Sequence, residues 1–278
     1  MDALLPPEMA ARAEEAGVRK ASMDGPRLFT FAVLAGAFIA LGGVFATTAL
    51  AGAGAAPWGP VRVLAGVAFS LGLALVLVGG AELFTGNNLI VMAWASRRVS
   101  TRALVRNWTI VFAGNFVGAV MTALAVCVAG THRGGSGAFG LAALAIAHAK
   151  LQPGFVQAIV LGMLGNALVC LAVWLTYSAR TTADRLLAVV PPISAFVAAG
   201  FEHSIANMYF VPFAIFVVTF DPDFVTAQGL RPQAQALTWI AFLGRNLLPV
   251  TIGNIIGGSV LVGAVYWFVY LRDRGPDS

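Results

Sequence analysis

The chain contains Gly80-Ala-Glu-Leu-Phe-Thr-Gly-Asn-Asn88 and, further on, Gly200-Phe-Glu-His-Ser-Ile-Ala-Asn207, two polar stretches that interrupt long apolar segments. Glutamate, histidine and asparagine are energetically unfavourable at membrane depth and usually mark a functional position there. Backbone that leaves the helical conformation at that depth is tolerated only where it lines a cavity or is buried in protein. The two stretches therefore predict two discontinuous helices that share one polar site.

The composition is poor in charge. Of the 278 residues, 59% are apolar and only 10% are charged, against about 25% charged residues in soluble domains. The net charge of +5 is scattered over short loops, which argues against a nucleic-acid partner. Cys127 and Cys170 lie inside apolar runs without a CxxC motif, so we expect them to be buried, with no disulfide and no metal.

Six segments are apolar and long enough to span a bilayer core, which needs about 20 residues. They lie at about 28–52, 62–95, 105–130, 155–178, 187–218 and 246–271. The polar segment 1–27 carries both acids and bases, unlike a cleaved signal peptide, so we expect the first span to be retained. The sequence thus predicts an N-terminal segment (1–27), a six-helix membrane domain (28–272) and a C-terminal tail (273–278).

The distribution of positive charge predicts the orientation. With the N-terminus in the cytoplasm, 12 of the 17 Lys and Arg residues fall on the cytoplasmic side. The positive-inside rule then places both termini in the cytoplasm. The outer side receives the predicted loops 131–154 and 219–245, and we expect His132 and His148 in the first loop to be exposed to solvent.

Two gapped patterns occur twice in the same order. Gly80-Ala-Glu82-x4-Asn87 matches Gly200-Phe-Glu202-x4-Asn207, and Arg106-Asn107-x6-Gly114-Asn115-x2-Gly118 matches Arg245-Asn246-x6-Gly253-Asn254-x2-Gly257. Each half (about 28–130 and 155–272) holds three spans, an odd number, so the halves must have opposite orientations. Inverted repeats with paired broken helices point to a transport site at the membrane midplane. The Gly-x3-Gly pairs predict close helix packing.

These motifs resemble those of the formate/nitrite transporter family. Gly80-Ala-Glu-Leu-Phe-Thr-Gly86 is similar to one family signature and Phe201-Glu-His-Ser-Ile-Ala-Asn-Met208 to a second. Pro249-Val-Thr-Ile-Gly-Asn-Ile-Ile-Gly-Gly258 is similar to the formate-channel branch. The resemblance implies an all-α, aquaporin-like protomer in a homopentamer of the bacterial inner membrane, conducting formate, nitrite or a similar anion. Gly86-Asn87-Asn88 is nearer a nitrite-type loop, so the choice of anion stays open.

The resemblance also implies roles for single residues. His203 would be the central pore histidine, with Thr85 in the loop that breaks the second helix and Asn166 close by. Lys150 would lie near the outer vestibule, and Glu202 and Asn207 would shape the broken fifth helix. The apolar constrictions on both sides of the histidine would be formed by Phe69, Leu73, Phe84 and Phe196.

The chemistry of these side chains leaves alternatives. His203 is expected to donate a hydrogen bond to the anion and to transfer a proton to it transiently, so that the substrate crosses the constrictions as the neutral acid. Lys150 either attracts anions or only extends its amine to the interface. A neutral-solute or water pore would use the same repeat. We expect no cofactor and no enzyme activity, because only His203 lies within a span, which excludes bis-histidine haem.

Overall fold

The computed structural model describes residues 3–229 and 234–273, and within these ranges all regular structure is helical. Part of the predicted C-terminal tail (274–278) and Arg231, one of the outer charges, lie outside the described residues. The helices are α1 Pro6–Ser22, α2 Gly25–Leu50, α3 Trp58–Gly79, α4 Val91–Ala95, α5 Thr101–Val128, α6 Ala138–Lys150, α7 Phe155–Ser178, α8 Thr182–Ala198, α9 Ser204–Phe220, α10 Pro222–Ala227 and α11 Trp239–Tyr270.

Five of these helices (α2, α3, α5, α7 and α11) are long and apolar enough to cross a membrane. The predicted second and fifth spans are both interrupted. The second consists of α3, a non-helical segment and a short 3-10 turn leading into α4, and the fifth consists of α8 and α9. Both breaks begin at a glycine in the left-handed conformation, Gly80 (φ 80°) and Gly200 (φ 76°). The two discontinuous helices predicted from the sequence are confirmed.

The helices within each half pack at very short distance. A Cβ on Gly118 of α5 would collide with the carbonyl of Val33 in α2, and a Cβ on Gly257 of α11 would collide with the carbonyl of Met163 in α7. Small residues at these positions let the backbones approach closely, as is common between membrane helices. The predicted role of the Gly-x3-Gly pairs is confirmed.

Two segments predicted as loops contain helices. The 131–154 segment forms α6 after glycines with positive φ at 135 and 137, and the 219–245 segment begins with α10. The apolar, alanine-rich sequence of α6 is too short to span a bilayer, so its length does not predict a span. Cys127 and Cys170 are free and buried, as predicted.

The expectation that His132 is exposed was wrong. His132 is only 4% exposed, because its ring packs edge-on against Phe224 and its Nε2 lies 2.8 Å from Oδ2 of Asp221, at the end of α9. Arg133 donates to the same carboxylate oxygen at 2.6 Å. The cluster ties the α5–α6 connection to the end of the broken fifth helix. His148, in contrast, is partly exposed.

The N-terminal segment is also helical and is docked on the rest of the molecule. Met9, Ala10 and Ala13 on one side of α1 are buried against Met92 and Trp174. Farther along α1, a Cβ on Gly17 would lie 3.1 Å from the Cβ of Ala93 in α4. Helix α1 therefore covers the same end of the molecule as α4, the short helix that follows the first break.

Candidate pore site

The two breaks meet in the interior of the molecule. The hydroxyl oxygen of Thr85 in the first break lies 2.8 Å from Nε2 of His203 in the second. Thr85 is completely buried and His203 is 2% exposed. The two halves of the chain thus each contribute one polar side chain to a single buried contact.

The hydrogen bonds of His203 define its tautomer. His203 is the N-cap residue of α9, and its Nδ1 accepts a hydrogen bond of 3.1 Å from the backbone N–H of Ala206. An accepting Nδ1 carries no hydrogen, so the proton of the neutral ring is on Nε2. Nε2 then donates to the Thr85 oxygen, which leaves the hydroxyl hydrogen of Thr85 available to another acceptor.

A polar network encloses the first break. The amine of Lys20 in α1 donates to Glu82 at 2.8 Å and to the side-chain oxygen of Asn87 at 3.0 Å. The amide nitrogen of Asn87 donates to Glu82 and to Asn107, and Asn107 donates to the backbone oxygen of Lys20. Glu82 is buried, so its charge is compensated within this ring of partners.

The second break has a corresponding network, except that the side-chain oxygen of Asn207 has no hydrogen-bond partner among the described residues. The amine of Lys150 in α6 donates to both carboxylate oxygens of Glu202, at 3.1 and 3.2 Å. Asn207 donates to Glu202 and to Asn246, and Asn246 donates to the backbone oxygen of Lys150. Helices α1 and α6 therefore occupy equivalent places in the two halves, each supplying the lysine for its own break.

One asparagine per half holds the extended backbone of the break. Asn115 of α5 accepts from the N–H of Phe84 and donates to the carbonyl of Glu82. In the other half, Asn254 of α11 accepts from the N–H of Ser204 and donates to the carbonyl of Glu202. These side chains satisfy backbone groups that the interrupted helices leave unpaired, as burial in a membrane requires.

Asn166 links the halves, and none of its side-chain hydrogen bonds within the described ranges is to His203. Its amide nitrogen donates to the side-chain oxygen of Asn88 and the backbone oxygen of Asn254, both at 2.7 Å, and lies 3.3 Å from the backbone oxygen of Thr85. A Cβ on Gly258 would collide with this amide. The geometry makes Asn166 a support for the loop that carries Thr85.

A cavity lies on each side of the Thr85–His203 contact. The first, here called the Lys20 cavity, has a volume of about 320 Å³, and the second, the Lys150 cavity, about 670 Å³. The charged residues lining the Lys20 cavity are Arg12, Arg19, Lys20, Arg185 and Glu82. Those lining the Lys150 cavity are Arg62, Lys150 and Glu202. In both linings the cations outnumber the carboxylates, so both mouths favour anions.

Apolar side chains lie beside the polar contact in the linings of both cavities, and His203 itself lines the Lys150 cavity. Phe69 and Phe196 line the Lys150 cavity with ring centroids 5.8 Å apart, and the Phe196 ring lies 5.9 Å from the His203 ring. Leu73 lines the Lys20 cavity. Phe84 packs against Phe112 with ring centroids 5.0 Å apart and lines neither of these two cavities. The residue before it, Leu83, lines the Lys20 cavity.

Several of these residues were not singled out from the sequence. Lys20 belongs to the polar N-terminal segment, and Asn107 and Asn246 appear in the sequence only as matching positions of a repeated pattern. The available signal is that Lys20 and Lys150 are the only lysines in the sequence. Their distances along the chain to the partner glutamate are 62 and 52 residues, so a pattern of fixed spacing does not detect the repeat.

A model of one protein family, described as "Formate/nitrite transporter", matches residues 7–268. This chain belongs to the formate/nitrite transporter family. It is 46% identical over 275 residues to a formate channel, FocA, of Escherichia coli K12, covering 98% of this chain and 96% of the relative. It is 39% identical over 263 residues to the formate channel FocA of Haemophilus influenzae, covering 94% of this chain and 93% of that relative.

Solved structures of formate/nitrite transporter proteins show the same fold. A pentameric formate channel with formate bound is 43% identical, with a TM-score of 0.84, covering 89% of this chain and 98% of that one. An ion channel of the family is 26% identical, with a TM-score of 0.79, covering 94% of this chain and 98% of that one. The all-helical fold class and the family expected from the sequence are confirmed.

Proposed function

We propose that this protein is a channel for small monovalent weak-acid anions, with formate as the main substrate and nitrite as a second. The observation that carries the proposal is the buried contact between Thr85 and His203, placed between two cavities with positively charged linings. Positive mouths raise the local concentration of anions. A water or neutral-solute pore, the alternative from the sequence, gains nothing from this charge.

The apolar residues beside the contact support selection against hydrated ions. Phe69, Leu73 and Phe196 offer no hydrogen bonds, so an ion with a tightly held water shell is excluded there. A weakly hydrated monoanion loses its waters more readily and finds a donor at the centre. We propose that Thr85 donates its hydroxyl hydrogen to the anion while its oxygen accepts from Nε2–H of His203, and that Phe84 and Asn166 shape the loop around them.

Proton transfer from His203 imposes a structural condition. In that step the imidazolium gives its Nε2 proton to the anion, so that a neutral ring and a neutral acid result. An imidazolium also carries a hydrogen on Nδ1, which is incompatible with accepting from Ala206, and its charge is unfavourable at the N-terminus of α9. We therefore propose that any proton exchange at His203 requires the ring to leave the cap of α9.

The cellular setting is proposed from the relatives and from charge. The structure of a pentameric formate channel with formate bound resembles this chain closely, which supports a homopentamer with one pore per protomer. The distribution of Lys and Arg supports cytoplasmic termini, in a multi-pass protein of the bacterial inner membrane. The domain boundaries at 27 and 272 remain a proposal of the same kind.

The proposal is tested by reconstituting the protein in vesicles. We expect rapid formate and nitrite flux, and water permeation no faster than in empty vesicles. Fast osmotic swelling without anion flux would refute the proposal in favour of the water pore. A colourless, metal-free preparation is expected, whereas a haem spectrum would indicate an electron carrier.

The histidine is tested separately with His203→Gln. Glutamine retains a side-chain donor and cannot exchange a proton at neutral pH. If His203 protonates the anion, formate flux in the variant loses the pH dependence of the natural protein. Flux with an unchanged pH dependence excludes proton transfer and leaves His203 as a neutral hydrogen-bond donor.

A further inference from the structure

The Lys20 cavity carries more positive charge than its counterpart. Arg12, Arg19 and Lys20 of α1 line it together with Arg185 of α8. Arg19 and Lys20 follow Arg12 by seven and eight positions, about two helical turns, so the three side chains lie on one face of α1. The single carboxylate among the described residues that line this cavity is Glu82. It is already bonded to Lys20 at 2.8 Å.

The other cations have few partners. Arg12 donates to the backbone oxygen of Tyr177 at 3.2 Å, which leaves most of its donors free. Arg19 lies 3.8 Å from Glu15, an exposed surface pair that contributes little binding energy. Within the part of the chain that the structure describes, the positive charge of the cavity is therefore largely uncompensated.

Arg185 differs from its counterpart in the other half. Arg62, near the start of α3, donates to the carbonyl of Val197 at 2.6 Å and lies 3.5 Å from the carbonyl of Ala198, at the end of α8. The guanidinium of Arg185, near the start of α8, makes no hydrogen bond or ion pair with any residue in the described ranges, although its backbone N–H donates to Thr181. A half-buried guanidinium has five N–H donors to satisfy. Arg62 thus has a structural role, whereas Arg185 is free to bind a ligand.

We propose that the Lys20 cavity binds a polyvalent oxyanion, with phosphate groups as the favoured class, and that the bound anion blocks the pore from this side. Guanidinium groups match phosphate oxygens in geometry and charge. The volume of about 320 Å³ equals roughly ten water molecules at about 30 Å³ each, which leaves room for a phosphate group. The blocking part rests on the proposed channel function, because the blocked anion is the permeant one.

The charge of the ligand explains why it would bind without crossing. The apolar residues beyond the cavity force an ion to lose its hydration shell. The electrostatic cost of this dehydration rises with the square of the charge, so it is much higher for a polyvalent anion than for a monoanion. A polyvalent anion is therefore held among Arg12, Arg19, Lys20 and Arg185 and stopped at Leu73. In the Lys150 cavity, Arg62 is bonded to a backbone carbonyl and Lys150 to Glu202, so this cavity has no comparable site.

Binding is tested first, without transport. Pyrophosphate is titrated calorimetrically into the detergent-solubilised protein at low ionic strength, in the natural sequence, in Arg185→Gln and in Arg97→Gln. We expect binding that weakens about tenfold in Arg185→Gln, the loss of one charge-assisted contact, and is unchanged in Arg97→Gln. Arg97 is exposed and does not line the cavity. No binding, or equal weakening in both variants, overturns the proposal.

Block is tested by recording formate current across planar phosphatidylcholine bilayers while pyrophosphate is added to one compartment at a time. We expect block from the Lys20 side only, with the half-blocking concentration raised about tenfold in Arg185→Gln. Equal block from both sides overturns the proposal. Calorimetric binding in a protein that carries no formate current refutes the channel function and leaves the site intact, whereas current without binding refutes the site.

The phosphate could be free or part of a lipid headgroup, and a second membrane distinguishes the two. In bilayers containing phosphatidylglycerol, a lipid occupant competes with pyrophosphate and raises the half-blocking concentration, and Arg185→Gln reduces that difference. Equal half-blocking concentrations in both membranes identify the free anion as the occupant. Either result, together with the weaker block in Arg185→Gln, supports a phosphate site in the Lys20 cavity.

Discussion

The Thr85 hydroxyl and Nε2 of His203 lie 2.8 Å apart although the residues are 118 positions apart in the chain. Each comes from a break in a different half of the repeat, and neither half contains the contact by itself. Since Nδ1 of His203 accepts from Ala206, the ring is fixed as a donor towards Thr85. A hydroxyl in this position can accept from the ring and donate to an anion at the same time.

Replacing Thr85 with valine preserves the shape of the side chain and removes the hydroxyl that accepts from His203 and donates to the anion. The variant leaves Nε2–H of His203 without its acceptor and deprives the anion of one donor. The loss of a hydrogen bond to a charged group is worth about 1.5 kcal/mol or more, so we expect formate flux to fall at least about tenfold. The measurement is the flux in vesicles at a fixed formate gradient.

Thr85→Ser is the matched control, because it retains the hydroxyl and loses only a methyl group. We expect it to keep most of the flux. Similar flux in the valine and threonine proteins would mean that the hydroxyl takes no part in conduction.

The ion pair between Lys150 and Glu202 predicts a reciprocal rescue. Lys150→Gln leaves Glu202 uncompensated in the Lys150 cavity, where a carboxylate repels anions, so we expect flux to fall about tenfold at low ionic strength. The double variant Lys150→Gln/Glu202→Gln restores the net charge of the cavity, and its flux should recover. At high salt the difference should narrow, because ions that enter the cavity screen the charge of the residues that line it.

The comparison also separates attraction from structure. If the single variant is equally impaired at both salt concentrations and the second substitution does not rescue it, Lys150 acts by holding the break in place. If Lys150→Gln leaves the flux unchanged at both salt concentrations, Lys150 neither attracts anions nor holds the break in place.

Asn254 supports the second break, and its loss should destabilise the protein. Asn254→Ala leaves the N–H of Ser204 and the carbonyls of Glu202 and Gly162 without their partner. Unpaired buried groups cost about 1–3 kcal/mol each, so we expect a clear fall in the midpoint of thermal unfolding in detergent. Ser259→Ala in the same helix removes a single long bond of 3.4 Å and should change the midpoint little. Equal shifts in the two variants would contradict the bracing role.

Asp221 predicts a pH-dependent stability. The hydrogen bond from His132 and the Arg133 guanidinium hold the pKa of Asp221 at about 2, below its usual value of 3.8. A carboxyl whose pKa is lowered by folding stabilises the protein above its unfolded pKa, and this stabilisation is lost as the pH falls through the folded value. We therefore expect Asp221→Asn to lower the unfolding midpoint at pH 7, with the difference from the natural protein shrinking between about pH 4 and pH 2.

Asp223→Asn is the control, since Asp223 is exposed two residues away. It should leave the midpoint nearly unchanged at every pH. A difference for Asp221→Asn that stays constant down to pH 2 would show that its charge is not responsible.

The breaks could be located from the sequence because their chemistry is local. Glu82 and Glu202 each lie five residues before an asparagine, and both bond to that asparagine in the structure. The close packing at Gly118 and Gly257 could also be predicted, because short spacings along a helix translate directly into contacts.

The partners of the two glutamates could not be predicted in the same way. Lys20 and Lys150 lie on short helices outside the spans, and the chain length between each lysine and its glutamate differs between the halves. Contacts of this kind depend on how helices dock, which periodicity does not encode. The burial of His132 was missed for the same reason, since Asp221 is 89 residues away.

Each break is held mainly by side chains from its own half and from the short helix that precedes that half: Lys20, Asn107 and Asn115 for one, Lys150, Asn246 and Asn254 for the other. The contact between Thr85 and His203 is therefore a seam between two units, each of which pairs its own buried glutamate. The side chain of Thr85 takes part in neither glutamate network, so it can change without disturbing them. Substrate preference in this architecture can thus diverge while the scaffold stays the same.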